Sequence, residues 1–92
     1  MSLENNATAF RAWLTKEDGI TEASAGSYVD YCERVERDLP TVLDKYLTTD
    51  AGLQSVLMQI EIAIRNERSR GNLKTAVRKY AAFLQAKIAN ST

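Results

Sequence analysis

Apolar residues recur along this chain every three or four positions, from Phe10 to Ile88. Residues at that spacing lie on one side of an α-helix, where they can be buried against a neighbouring element. No stretch shows the strict alternation of apolar and polar residues that is typical of a half-buried β-strand. The pattern therefore predicts an all-α domain.

Helical segments follow from this pattern together with the residues that start and stop helices. Glycine and proline end helices, whereas serine, threonine, aspartate and asparagine cap their beginnings. The predicted segments are residues 4–16, a helix that starts near residue 22 and ends near 39, a short turn over 41–47, a helix over 50–69 and a last helix over 72–89. Such short connections favour one domain over residues 1–92, a compact orthogonal bundle of four main helices plus a short helical turn.

Two predicted boundaries bear on function. Thr21 or Ser24 offers a side-chain oxygen that can cap the second main helix. Gly71 is expected to break the chain before the last helix, and Asn72 is expected to cap that helix.

The predicted helix over 50–69 is apolar on two sides. One stripe includes Leu53 and Ile64, and the pair Met58 and Ile62 lies nearly opposite, one turn apart. We expect a central helix that neighbours contact on both flanks; the alternative is an exposed patch that binds a partner.

Charge is distributed unevenly along the sequence. Twelve Lys and Arg residues balance twelve Asp and Glu residues, so the formal net charge is zero. Residues 1–50 nevertheless hold ten acidic and five basic side chains, whereas residues 51–92 hold two acidic and seven basic ones. Asymmetry of this kind indicates an anionic partner for the basic half.

Several residue types needed for catalysis are missing. The chain has no His, which removes the usual general base and the commonest metal ligand. A single Cys, Cys32, can form neither an internal disulfide nor a zinc site, and it fits a buried position in a protein of the reducing cytoplasm. No apolar run approaches the length of a membrane span. We expect a cytoplasmic protein that has no cofactor, no metal site, no small-molecule substrate and no enzymatic activity of its own.

The densest basic cluster lies over residues 65–79, which hold six basic residues and the single acid Glu67. The dipole of the preceding helix accounts for basic residues at its end, but it does not account for Lys74 in the first turn of the next helix. A phosphate there would meet the free amide hydrogens near residues 72–75. The side chains expected to join it are those of Arg70, Asn72, Lys74 and Thr75. The alternative is an ordinary solvated helix face.

Four segments of the chain, taken in order, point to a known family. They are FRAWL at 10–14, Gly-Ile-Thr at 19–21, SAGSYVDYCERVE at 24–36 and RGNLKTAVRKYAAFL at 70–84. Across residues 8–86 the sequence resembles the core-binding, SAM-like helical domain of tyrosine recombinases and phage integrases. It is similar also to the same helical module in restriction-type proteins.

The resemblance implies that the module grips double-stranded DNA through its second and last helices. The DNA-binding residues it implies are Thr21, Ser24, Ser27 and Arg34 in the second helix and Asn72, Lys74, Thr75 and Arg78 in the last; the basic cluster adds Arg68 and Arg70. The catalytic domain of that family is missing, so we expect DNA binding without strand cleavage, alone or as part of a recombinase. The alternative is a non-catalytic protein-interaction or dimerisation module that uses the Met58 and Ile62 stripe.

Overall fold

A computed structural model of the protein describes residues 3–39 and 41–91, with side chains over 6–39 and 41–89. All regular secondary structure in these ranges is helical, which confirms the predicted all-α bundle. The helices are α1 (Leu3–Lys16), α2 (Glu22–Asp38), α3 (Leu43–Tyr46), α4 (Asp50–Ala63) and α5 (Glu67–Ser91). Pro40, expected to end the second helix, lies outside the described residues.

Threonine side chains cap the starts of α2 and α4. The Thr21 hydroxyl oxygen accepts a hydrogen bond from the Ser24 amide at 3.3 Å, and Thr49 does the same for the Gly52 amide at 3.1 Å. Each bond satisfies a backbone donor that has no partner within the helix. The predicted helix start near residue 22 is therefore confirmed.

The predicted start of the last helix near residue 72 is wrong. The chain leaves the helical conformation after Ala63, and α5 begins at Glu67, so Gly71 lies inside α5. The Asn66 side-chain oxygen accepts a hydrogen bond from the Ser69 amide at 2.9 Å and caps α5. A capping Asn is a stronger signal than an interior Gly, which costs a helix only about 1 kcal/mol relative to Ala.

Helix α5 lies against α2 and α4, and its contacts with α2 show the relative direction of the two helices. The Cys32 thiol donates a hydrogen bond to the Ala76 carbonyl oxygen at 3.5 Å, and the Lys79 ammonium lies 5.5 Å from the centre of the Tyr28 ring. The contact therefore moves from 32 to 28 on α2 as it moves from 76 to 79 on α5, so the helices are antiparallel.

Aromatic side chains hold α1 on the inner side of α5. The Phe10 ring lies 4.8 Å from the Tyr80 ring and 5.4 Å from the Phe83 ring, and Trp13 lies 6.0 Å from Phe83. Phe10 and Tyr80 have no solvent exposure. Edge and tilted ring contacts of this kind add to the stabilisation that burial provides.

A polar cluster joins α1, α3 and α5 beside these rings. The Tyr80 hydroxyl donates to the Asp44 carboxylate, and the Asn6 side-chain nitrogen donates to the same carboxylate at 2.6 Å. Lys87 donates to the Asn6 side-chain oxygen at 3.0 Å. Burial and the hydrogen bond to Asp44 raise the pKa of Tyr80 well above its usual range. The Tyr80 phenol is therefore a neutral structural donor.

Cys32 is fully buried and forms no disulfide, as the sequence predicts. Burial first, and then the charges of Glu36 and Glu33, raise the pKa of its thiol far above the ordinary value. A buried, protonated thiol is unreactive. In the part of the chain that the structure describes, no helix combines the length and the apolar character that crossing a membrane requires.

The expectation that neighbours cover both sides of the fourth helical segment is wrong. Val56, Leu57 and Ile60 are buried on the inner side of α4, but Met58 is 64 % exposed and Ile62 is 78 % exposed. Both α5 and α3 contact α4, and the residues of α4 that are buried all lie on its inner side. The second apolar stripe of α4 therefore faces solvent.

Candidate nucleic-acid interface

The solvent-facing side of α5 carries a stripe of residues that we call the α5 stripe: Arg68, Gly71, Thr75, Arg78, Ala82 and Gln85. Successive members are three or four residues apart, so they lie on one face of the helix. Thr75 is partly exposed and the other members are exposed. Arg78 lies ten residues after Arg68, which corresponds to about 15 Å along the helix axis.

Arg68 and Arg78 are the two cations of this stripe. Among the side chains that the structure describes, neither has a carboxylate within ion-pairing distance. Asn72, four residues after Arg68, is partly exposed on the same side of the helix. Of the predicted DNA-binding residues, the structure thus brings Arg68, Asn72, Thr75 and Arg78 onto one surface.

Arg70 and Lys74 are turned towards α4 instead. Lys74 forms an ion pair and hydrogen bond with one oxygen of Glu61, and the Arg70 Nε lies 3.4 Å from the other oxygen. The Arg70 guanidinium also donates to the carbonyl oxygens of Ile64 and Arg65, at 3.2 and 3.1 Å. These two cations therefore help to hold the end of α4 against α5.

Glu61 is the residue that sequence reasoning missed. The hydrogen bond from Lys74, followed by the attraction of the Lys74 and Arg70 charges, lowers the pKa of its carboxyl. It lies thirteen residues before Lys74, too far for spacing within one helix to reveal the contact. One feature of the sequence could have pointed to Glu61 as a partner of the basic cluster: it is the only acid between Asp50 and Glu67.

The phosphate site expected at the amide hydrogens of residues 72–75 does not form. These residues lie in the interior of α5, where amide hydrogens bond to carbonyl oxygens of the preceding turn. The Arg70 amide already bonds to the Asn66 carbonyl at 2.9 Å. Anion binding by α5 must therefore depend on its side chains.

The basic cluster over 65–79 divides into two groups in the structure. Lys79 joins Arg70 and Lys74 as a paired cation, because its ammonium lies 2.8 Å from a carboxylate oxygen of Asp18. Arg65, Arg68 and Arg78 have no ion pair with any described side chain. Half of the predicted cluster thus stabilises the bundle and half is free to meet an anion.

The predicted residues of α2 are held by contacts within their own helix. Thr21 and Ser24 form the cap, and the Ser27 hydroxyl donates to the Ala23 carbonyl at 3.3 Å. The Arg34 Nε lies 3.3 Å from the Asp38 carboxylate, one turn further along. An exposed pair of this kind contributes little to stability, so Arg34 can exchange Asp38 for another anion.

The exposed side of α2 is less favourable to an anion than the α5 stripe. Asp30 and Glu33 are exposed on α2, interleaved with Arg34 and Arg37. Within the described ranges, no group of three or more acidic or Cys side chains is placed to hold a metal ion. The strongest candidate for an anion-binding surface is therefore the α5 stripe.

Comparison with known proteins adds no relative. No family model matches the chain, and neither the search of curated proteins nor the search of solved structures finds a match. The functional argument therefore depends on the geometry of α5 and α2.

Proposed function

We propose that this protein binds double-stranded DNA through the α5 stripe. The observation that carries the proposal is that Arg68 and Arg78 are exposed on one helix face and form no ion pair with a described side chain. Thr75 and Gln85 add neutral hydrogen-bonding groups to the same stripe. Arginine, hydroxyl and amide side chains are the groups that contact DNA phosphates in most complexes.

The spacing of the cations supports an extended polyanion as the ligand. Arg68 and Arg78 are about 15 Å apart along the axis, too far to meet on one phosphate group. Duplex DNA carries one charge for every ~1.7 Å of its length, so both cations can contact phosphates of one duplex. The 25 residues of α5 also give a continuous helix about 37 Å long.

The start of α2 supplies a second, weaker contact in this proposal. Thr21, Ser24 and Ser27 are exposed, and hydroxyls can donate hydrogen bonds to phosphate oxygens. Ser27 would exchange its bond to the Ala23 carbonyl for such a contact. In keeping with the resemblance to recombinase core-binding domains, the protein would hold DNA in the cytoplasm for a catalytic partner. It would not cleave the strands itself.

A salt titration of binding to a random duplex, followed by fluorescence anisotropy, tests the proposal. With two to four phosphate contacts, log affinity should fall against log salt with a slope of about −2 to −4. Arg68→Ala and Arg78→Ala should each reduce the magnitude of that slope by about 1. Lys45→Ala is the matched control, because Lys45 is an exposed cation on α3, outside the α5 stripe.

Two results would overturn the proposal. One is the failure of the wild-type protein to bind any duplex at low salt. The other is a loss of affinity in Lys45→Ala as large as that in Arg68→Ala or Arg78→Ala, because a general effect of positive charge does not depend on the α5 stripe.

A further inference from the structure

The outer side of α4 carries a second exposed stripe, which we call the α4 face: Ala51, Ser55, Met58 and Ile62. Its members are spaced by four, three and four residues and lie opposite the buried side of the helix. Met58 and Ile62 are the two most exposed large apolar residues described. Adjacent apolar side chains with such exposure mark interaction surfaces more often than isolated ones do.

The α4 face is also free of charge. From Ala51 to Ile60 the sequence contains no acidic or basic residue, and the next residue, Glu61, is paired with cations of α5. Solvent-facing sides of surface helices normally carry charged residues. The α4 face therefore has the composition of a contact surface rather than a solvated one.

We propose that a second copy of this chain covers the α4 face, with the two α4 helices antiparallel across a twofold axis. The small residues Ala51 and Ser55 occupy the first half of the face, and Met58 and Ile62 occupy the second half. An antiparallel pairing centred between Ser55 and Met58 places Ala51 opposite the partner's Ile62. It also places Ser55 opposite the partner's Met58, so each large side chain meets a small one.

Charge complementarity supports the same partner and the same direction. Asp50 is exposed at the start of α4, and Arg65 is exposed just beyond its end. Neither forms an ion pair with another described side chain. The antiparallel pairing places Asp50 opposite the end of the partner's α4, two residues before the partner's Arg65. A parallel pairing would instead place like charges together at both ends.

The interface is self-complementary, as a twofold dimer requires. It leaves the α5 stripe uncovered, because Arg70, Lys74 and Glu61 lie between that stripe and the α4 face. Self-association can thus be measured without DNA, and its failure would leave the proposed DNA binding untouched.

Sedimentation equilibrium over a wide concentration range tests the dimer. The wild-type mass should rise from 10.3 kDa towards twice that value. Met58→Glu and Ile62→Glu should remain monomeric, because both side chains are exposed in the single chain. At concentrations where the wild type is also monomeric, they should melt at the wild-type temperature. Ala82→Glu, which adds the same charge on the exposed side of α5, should dimerise like the wild type.

Charge reversal tests the pairing itself. Asp50→Arg and Arg65→Asp should each weaken the dimer, and the double variant should recover it, because each reversed end again meets an opposite charge. This arm remains decisive if a Met58 variant fails to fold.

Cross-linking with a short bis-maleimide tests the direction. Met58→Cys should link two chains, whereas Ala51→Cys should not, because antiparallel helices place the two Ala51 positions about 16 Å apart along the axis. The native Cys32 is buried and does not react.

Any of three results would overturn the proposal. The wild-type protein could stay monomeric at every concentration, or Met58→Glu and Ile62→Glu could dimerise normally. Alternatively, Ala51→Cys could cross-link as readily as Met58→Cys, which would indicate parallel helices, because a parallel pairing places each residue opposite its own copy.

Discussion

The outer sides of α4 and α5 belong to neighbouring helices but have opposite surface chemistry. The α5 stripe presents Arg68 and Arg78, whereas the α4 face presents Met58 and Ile62 without any charge. Glu61 lies between them and binds the cations that α5 turns towards α4. Because both helices bury a separate apolar stripe, neither outer surface is needed for the fold. This difference in surface chemistry is the reason that we propose DNA as the partner of the α5 stripe and a second copy of the chain as the partner of the α4 face.

Gly52→Ala should have the largest effect, because it displaces α4 and with it the α4 face. A β-carbon at Gly52 would overlap the Tyr46 carbonyl oxygen, which belongs to the backbone and cannot move aside as a flexible side chain does. We expect a loss of about 3 kcal/mol in the free energy of unfolding, measured by urea denaturation. An unchanged midpoint would show that α3 and α4 are not in this close contact.

Tyr80→Phe should have the next largest effect, on the buried side of α5. It removes the hydrogen bond to Asp44 and keeps the ring contacts with Phe10 and Phe83. Because the acceptor is a carboxylate, we expect a loss of about 2 kcal/mol in the free energy of unfolding. Tyr31→Phe is the control and should be close to neutral. Equal losses in the two variants would contradict the role assigned to the Asp44 contact.

Gly71→Ala should stabilise the protein, in contrast to Gly52→Ala. Nothing lies within 4 Å of a β-carbon at Gly71, and α5 continues through this position. Replacing an exposed glycine inside a helix by alanine should raise the free energy of unfolding by about 1 kcal/mol. A loss of stability in the same urea experiment would instead support a helix break at Gly71.

Glu61→Gln should have the smallest effect on stability, because the carboxylate is exposed. Folding lowers the pKa of Glu61, so the ionised group stabilises the folded state above its unfolded pKa. That stabilisation is lost as the pH falls through the folded pKa. The difference in melting temperature between wild type and variant should therefore disappear in acid, and a constant difference would argue against the ion pairs.

The Glu61→Gln variant should also change the affinity for DNA. Without the Glu61 charge, Arg70 and Lys74 are free to meet phosphates, so we expect Glu61→Gln to bind duplex DNA more tightly than the wild-type protein at neutral pH. Lower affinity in the anisotropy assay would contradict the interpretation that Glu61 competes with DNA for these cations.

Much of the fold could be predicted because its signals are local. The three- and four-residue spacing of apolar residues defines the helices, and the Thr21 and Thr49 side chains cap the two that they precede. The sequence pattern misplaces the break before α5, because a glycine inside a long helix costs only about 1 kcal/mol of stability. The cap is instead supplied by Asn66, upstream of the predicted boundary. A helix boundary predicted from glycine alone is therefore less secure than one predicted from a capping side chain.

The candidate site was harder to predict because it depends on contacts between helices. The sequence shows six basic residues close together, but only the packing of α4 and of the loop before α2 against α5 separates the paired cations from the free ones. Arg68 and Arg78 were in the predicted set and lie on the α5 stripe. Glu61 pairs with Arg70 and Lys74, and Asp18 pairs with Lys79. These contacts join residues that are far apart in the sequence, so local patterns do not reveal them.

A map of backbone amide chemical shifts during titration with a short duplex tests the central claim most directly. The duplex needs about 12 base pairs to span the length of α5. We expect the largest shift changes along residues 68–82 of α5, smaller changes near the start of α2, and unchanged signals for residues 51–62 of α4. Changes confined to the α4 face, or no changes at low salt, would contradict the assignment of DNA binding to the α5 stripe.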